Sequence, residues 1–500
     1  MTTLISSPEN NALVSPETEV RLAEARGYTT YRIRHTLASR FSFLIICLAI
    51  ILSALAYGTV HAWSLAVFFI GGVGLLVLWV ADSWSLGVVR ISRNVLQLPL
   101  LGLLALGLFQ LLPLRNPDTA GMSLTMVRSL SFNPYATRFI VIELIALLIY
   151  FGATLVFVDT PKRLRLLVRT ITIFGFFLAI FGLTQSFTSP TRVYWIREMP
   201  QSQAFGPFIN RHHFAGYMEL TIALPLGLIF SGSVEREKKF IYIFAAGLMA
   251  VALVMTNSRG GIVSLVAELL FLVALMGIGR SHRKKRGEKK PRIKSAAMKA
   301  GLALALVIAL FGGVVLLGGE EALSRLVGSV NTDDPTTGRA HFWSVTVDII
   351  KNHPVIGTGL GAFGVVYTGY DTRNGLYRLE QAHNDYLQLL SDAGIVGAVL
   401  GLGFLLALFR MGFARRESHD VFRLGVASGA LAGCFGVLVH SFFDFTLHTT
   451  SNTLLFLVLA ALATMNGRVE EVHSRRKKKR RYGSPSATET LETTESAAAT

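Results

Sequence analysis

Charge is scarce in this 500-residue chain: Asp, Glu, Lys and Arg make up 16% of it, against 52% hydrophobic residues. A soluble domain carries about a quarter charged residues, so a water-soluble globule is excluded. Cysteine is scarcer still. Cys47 and Cys434 stand alone, both inside apolar stretches, and they offer neither a disulfide framework nor a zinc-type spacing. No cleavable leader is expected, because residues 1–40 are polar and the first apolar block starts late and runs long. No internal repeat is visible, which weighs against the two related halves common in secondary transporters.

What the chain does contain is a succession of apolar blocks of roughly 20 residues, the length that crosses a hydrocarbon core of about 30 Å. Twelve are read, near 41–59, 63–82, 95–112, 139–158, 166–186, 214–231, 240–256, 260–278, 298–318, 394–412, 424–442 and 452–467. They predict an all-α polytopic membrane protein with about twelve transmembrane helices and one large periplasmic loop carrying short helices. The expected divisions are a cytoplasmic segment 1–40, helices one to nine over 41–318, the loop 319–393, helices ten to twelve over 394–467, and a basic, then disordered, cytoplasmic tail 468–500.

The net charge of +17 follows this topology and does not point to nucleic acid. With the N-terminus in the cytoplasm, about 36 of the 48 Lys and Arg fall on cytoplasmic intervals, as the positive-inside rule requires. Both termini are then cytoplasmic, and 319–393 lies outside the cytoplasm, which in a bacterium is the periplasmic face of the inner (plasma) membrane. The segment Arg26–Arg40 suits an interfacial helix attracted to anionic membrane lipids, and the basic run 280–294 reads as a topology anchor.

Three constellations converge on the outer face. Asn257-Ser258-Arg259-Gly260-Gly261 joins two blocks by a tight turn, so Arg259 opens a helix whose free N–H groups and dipole attract anions, with glycines that admit a ligand to the backbone. Phe205 to Phe214 includes Asn210-Arg211-His212-His213 and puts Arg211 in the same setting. The competing reading for both arginines is a side chain that snorkels to the head groups. The third is Arg339 with His383 in the large loop. Histidine suits general-base work near neutral pH, although His383-Asn384 also suits a helix cap. Within the loop, the spacing of Phe342, Val345, Ile349 and Ile350 predicts an amphipathic helix over 338–352 lying along the membrane surface. Pro354, Gly357, Gly359 and Gly361 break it, and a second short helix spans 382–392, ended by Gly394. Asp333-Asp334-Pro335 reads as a turn, and no metal site is expected.

The run from Gly338 to Gly397 resembles the C-terminal domain shared by bacterial O-antigen ligases and O-antigen or exopolysaccharide polymerases. The matching residues are Arg339, Trp343, Pro354-Val355-Ile356-Gly357-Thr358-Gly359, Phe363, His383-Asn384-Asp385-Tyr386-Leu387, Gly394 and Gly397. Upstream, Asn257 to Gly260 is similar to the family's Ser-Arg-Gly turn. Asn210 to Tyr217 resembles a motif of exopolysaccharide members, with His212 where an Asn is frequent. The resemblance covers about 130–465. It implies a metal-independent glycosyltransferase with no cofactor. The donor is a glycan on undecaprenyl diphosphate, and the acceptor is a hydroxyl of lipid A core or of a second lipid-linked glycan. On this reading His383 is the catalytic base. Arg211, Arg259 and Arg339 bind the diphosphate, and Asn210, His213, Gly260, Trp343, Asn384 and Tyr386 support the site or touch substrate. A single displacement with inversion is the simplest course. Two alternatives remain: a protein O-oligosaccharyltransferase of the same family, and a twelve-span secondary transporter. Few intramembrane acids favour the latter, chiefly Glu143, Glu219 and Glu268.

Overall fold

In hydrocarbon every backbone N–H and C=O must find its partner within the chain, which leaves helices as the simplest spanning element. The computed structural model describes residues 35–115, 129–199, 204–278, 339–373, 379–416 and 420–465. Thirteen α-helices occur among the described residues: α1 Leu37–Leu55, α2 Ala62–Leu86, α3 Gln97–Gln110, α4 Pro134–Phe157, α5 Pro161–Thr188, α6 Arg211–Ser231, α7 Lys239–Met255, α8 Arg259–Ile278, α9 Arg339–Asn352, α10 Phe363–Tyr370, α11 Asp385–Arg415, α12 Val421–His440 and α13 Thr450–Thr464. A two-stranded antiparallel ribbon, β1 Arg192–Val193 and β2 Arg197–Glu198, lies between α5 and α6.

Eight of these helices (α1, α2, α4, α5, α6, α8, α11 and α12) are long and apolar enough to cross a membrane, and α3, α7 and α13 are apolar but shorter. They overlie eleven of the twelve apolar blocks, and the chain is a multi-pass helical membrane protein. The block at 298–318, the basic run 280–294, Asp333 to Pro335, the lead up to residue 34 and the tail from 466 lie outside the described residues.

Helix α6 is the centre of the bundle, buried throughout from His213 to Phe230. Its neighbour α12 carries Gly425, Gly429 and Gly433, one small residue per turn, and the two backbones meet there. A Cβ added at Gly433 would lie 2.6 Å from that of Ala223, and one at Gly429 would run into the Ala223 carbonyl. Small residues at four-residue spacing are the usual means of close helix approach where lipid removes the hydrophobic drive between helices. This close approach sets α6 and α12 side by side as they run toward the start of α6 and the end of α12.

The loop between α9 and α11 has its own small core, in which Val345 and Ile349 pack with Phe363, Val366, Tyr367, Leu379 and Ala382. This corrects one expectation. The apolar face of α9 packs against α10, a helix the sequence reading did not foresee, and is not laid along a lipid surface. The expected break at Gly394 is present: α11 passes through it at φ 60°, ψ −159°. The turn 354–361 repairs the backbone bonds lost there. Ile395 N and Val396 N donate to the carbonyls of Pro354 (2.8 Å) and Val355 (3.2 Å), while Thr358 N and Gly359 N donate to those of Ser391 (2.9 Å) and Asp392 (3.0 Å). Gly357 and Gly359 adopt φ of 71° and 115°, in the left-handed region open to glycine, and Gln110 of α3 donates to the Ile356 carbonyl at 2.7 Å. The short helix 385–393 is thereby fixed over the bundle, with His383 just before it.

Candidate active site

The starts of α6, α8, α11 and α13 and the end of α12 share one end of the bundle, and the three constellations meet there around Asp444. This carboxylate lies in the 441–449 turn with its side chain 1% exposed. Its Oδ1 lies 3.2 Å from His383 Nδ1 and accepts from Phe445 N at 2.9 Å. Its Oδ2 accepts from the Arg339 guanidinium at 3.2 Å and lies 3.7 Å from His212 Nδ1. Burial alone disfavours the charge. The hydrogen bond from His383, with the imidazole of His212 and the Arg339 guanidinium close by, outweighs burial and holds the Asp444 carboxyl well below the usual carboxylate range. An ionised carboxylate only accepts hydrogen bonds, so His383 Nδ1 is the donor, and in the neutral ring Nε2 carries the lone pair.

His383 is held from several sides. Its ring lies over Phe342 at 6.3 Å and meets Phe445 edge-on at 4.8 Å. Its backbone φ of 51° is left-handed, a strained conformation for a residue with a side chain and one that clusters at functional sites. Trp343 Nε1 donates to the Ala382 carbonyl at 3.1 Å, which ties the His383 turn to α9. Asn384 caps α11 by accepting from Tyr386 N and Leu387 N, and donates to the Phe442 carbonyl at 3.1 Å. The Tyr386 hydroxyl donates to the Leu438 carbonyl at 2.7 Å. Trp343, Asn384 and Tyr386 thus hold the turn in place.

The arginines stand at helix starts as expected. Arg211 opens α6 behind the cap Asn210, whose side chain accepts from His212 N at 2.8 Å. Arg259 opens α8 behind Ser258, whose hydroxyl accepts from Gly261 N at 3.2 Å. The two starts are linked directly, because His212 Nδ1 and Ser258 Oγ lie 2.8 Å apart. His213 is buried, edge-on to Phe445 at 4.8 Å. Gly260 departs from its expected use. The space above it is filled by side chains of this chain: an added Cβ would lie 2.7 Å from His440 Cδ2 and 2.8 Å from Phe443 Cβ, so the glycine admits helix packing and not a ligand. Gly260→Ala is expected to cost about 1–3 kcal/mol through overpacking. Thermal unfolding in detergent reads this, with Gly247→Ala, which has nothing within 4 Å, as a control that leaves the midpoint in place.

Sequence reading missed Asp444, which coordinates the cluster. Its signal was an acidic residue in the short interval between two apolar blocks, where a charge is expensive. It also missed a second His–Asp pair. His448 Nδ1 lies 2.7 Å from Asp385 Oδ1, and Asp385 Oδ2 accepts from Ser441 Oγ at 2.7 Å. Burial pulls the His448 pKa down, but the hydrogen bond and charge of Asp385, with Asp392 and Glu143 beyond, raise it above the ordinary value. A raised folded pKa gives stability that is complete below the unfolded value of about 6.5 and is lost as pH rises through the folded value. The melting temperature of the protein should therefore fall more between about pH 6 and pH 9 than that of His448→Gln; equal falls would contradict the pairing.

His, Asp and Arg gather at one end of the helical bundle, an arrangement that can hold an anion and move a proton. The family model described as O-Antigen ligase matches residues 244–402. That match indicates a membrane enzyme of the ligase and polymerase type. The match takes in Arg259, Arg339 and His383; Arg211 and Asp444 lie outside it. No curated protein matches the chain.

Proposed function

We propose that the protein transfers a glycan from undecaprenyl diphosphate to an acceptor hydroxyl at the periplasmic face of the inner membrane. The observation that carries this reading is the convergence of His383 and Arg339 on one buried carboxylate, beside the linked helix starts that bear Arg211 and Arg259. Each step follows from these groups. The diphosphate is held by Arg211 and Arg259 at the positive ends of two helices. Arg339, whose guanidinium has about five N–H donors, is anchored to Asp444 and retains others for the leaving diphosphate. His383 Nε2 takes the proton of the acceptor hydroxyl as that oxygen attacks the anomeric carbon, while Asp444 fixes the ring and stabilises the imidazolium. The carbon–oxygen bond to the diphosphate breaks in the same step, with inversion. A held diphosphate is a good leaving group, so a paired second carboxylic acid of the glycosidase kind is not needed.

Arg211→Gln and Arg259→Gln are each expected to weaken donor binding about tenfold to a hundredfold, the worth of a charge-assisted hydrogen bond. Binding of a labelled lipid-linked glycan to the purified variants reads this. Unchanged affinity in both returns the arginines to the snorkelling role. The function itself is tested by deleting the gene in its host and resolving surface glycans on gels. Loss of chain extension identifies a polymerase acting on a second lipid-linked glycan. Intact polymer that fails to join lipid A core identifies a ligase. Unaltered glycans would contradict the proposal.

A further inference from the structure

A line of polar contacts runs from the interior of the bundle to this site. Glu219 of α6 and His440 at the end of α12 are both wholly buried, with Oε1 and Nδ1 2.8 Å apart. The other Glu219 oxygen accepts from Ser264 Oγ at 2.9 Å. His440 Nε2 lies 3.3 Å from Ser258 Oγ, which lies 2.8 Å from His212 Nδ1, and His212 Nδ1 lies 3.7 Å from Asp444 Oδ2. The two glycines after Arg259 make room for the pair, since an added Cβ would crowd His440 at Gly260 and lie 3.3 Å from Glu219 Oε1 at Gly261. An acid and an imidazole inside an apolar bundle are costly to bury, and both reach toward the site end.

Ser258 decides what the line can do. A hydroxyl has one proton and two lone pairs. One lone pair takes Gly261 N–H, so a single proton and a single lone pair remain for the two imidazoles. If His440 donates to Ser258, Ser258 donates to His212; if His440 accepts, His212 donates. The tautomer of His212 beside Asp444 is therefore tied to the state of His440, and that state is tied to Glu219.

We propose that Glu219 and His440 form a buried positioning device for the transfer reaction. Through Ser258 they set the orientation and tautomer of His212 against Asp444, and so the carboxylate that aligns His383. This rests on His383 being the base. The experiment measures transfer by purified protein with undecaprenyl-diphosphate-linked glycan extracted from the producing strain. Glu219→Gln and Ser258→Ala should each lower kcat about tenfold or more, with KM for the donor unchanged, because they alter alignment and not donor contacts. The double variant should be no slower than the slower single, since both cut one line. Full kcat in Ser258→Ala, which leaves the buried pair intact, overturns the inference, as do losses that multiply in the double variant. If Glu219→Gln fails to accumulate, the same cycle is run with His212→Asn in its place and read in the same way. His383→Ala in the parallel assay separates the two readings. An active His383→Ala removes the base assignment, whereas an inactive one beside a fully active Ser258→Ala removes only the positioning device.

Discussion

His383→Ala is expected to lower glycan transfer by about 10²–10⁴, the usual contribution of a positioned general base. Donor affinity and membrane insertion should be retained. The ring lies in an aromatic bracket of Phe342 and Phe445 and is tethered at Nδ1 by Asp444, so its loss removes the base without removing any arginine. The effect should appear in kcat with KM for the donor nearly unchanged. A variant that transfers at the wild-type rate would refute the base assignment.

The second large effect is expected at Asp444. Asp444→Asn conserves shape but removes the charge that forces His383 Nδ1 to be the donor. An amide presents either an oxygen or an NH₂ group, so the Nε2 lone pair is no longer guaranteed, and Arg339 loses its 3.2 Å partner. The loss in kcat should be on the order of 10²–10⁴. Residues that act as a unit are not additive. The double variant with His383→Ala should therefore be no slower than His383→Ala alone; a further large drop would mean that Asp444 acts independently. The substitution should also be felt in stability. A carboxylate whose folded pKa is depressed contributes stability above its unfolded value of about 3.9 and loses it as pH falls through the folded value. Asp444→Asn is therefore expected to melt below the wild type at neutral pH.

How far the chain could be read depended on whether a signal was local. Apolar blocks are local, and eleven of them coincide with apolar helices because hydrocarbon leaves the backbone few alternatives. Arg211 and Arg259 were legible as helix starts because each stands just ahead of an apolar block, Arg259 after a tight turn and Arg211 after the cap Asn210. His383 was legible from its motif. Asp444 was not, because what makes it important is its distance to His383, Arg339 and His212, residues 61, 105 and more than two hundred positions away in the chain. The fate of Gly260 was hidden for the same reason: the side chains that crowd it come from α12 and the turn beyond it. Helix α10 carries a short apolar run, Phe363 to Tyr367, that has no strong period of its own and is held by the loop core. Trp343, Asn384 and Tyr386 were singled out, but their hydrogen bonds to backbone carbonyls give them the task of fixing the His383 turn.

The most direct test of the account is to place the purified protein in liposomes with undecaprenyl-diphosphate-linked glycan and an acceptor, and to count products. The account predicts one undecaprenyl diphosphate released for each new glycosidic bond formed. Intact donor in the presence of active, folded protein, or glycan moved across the bilayer without any bond made or broken, would contradict it.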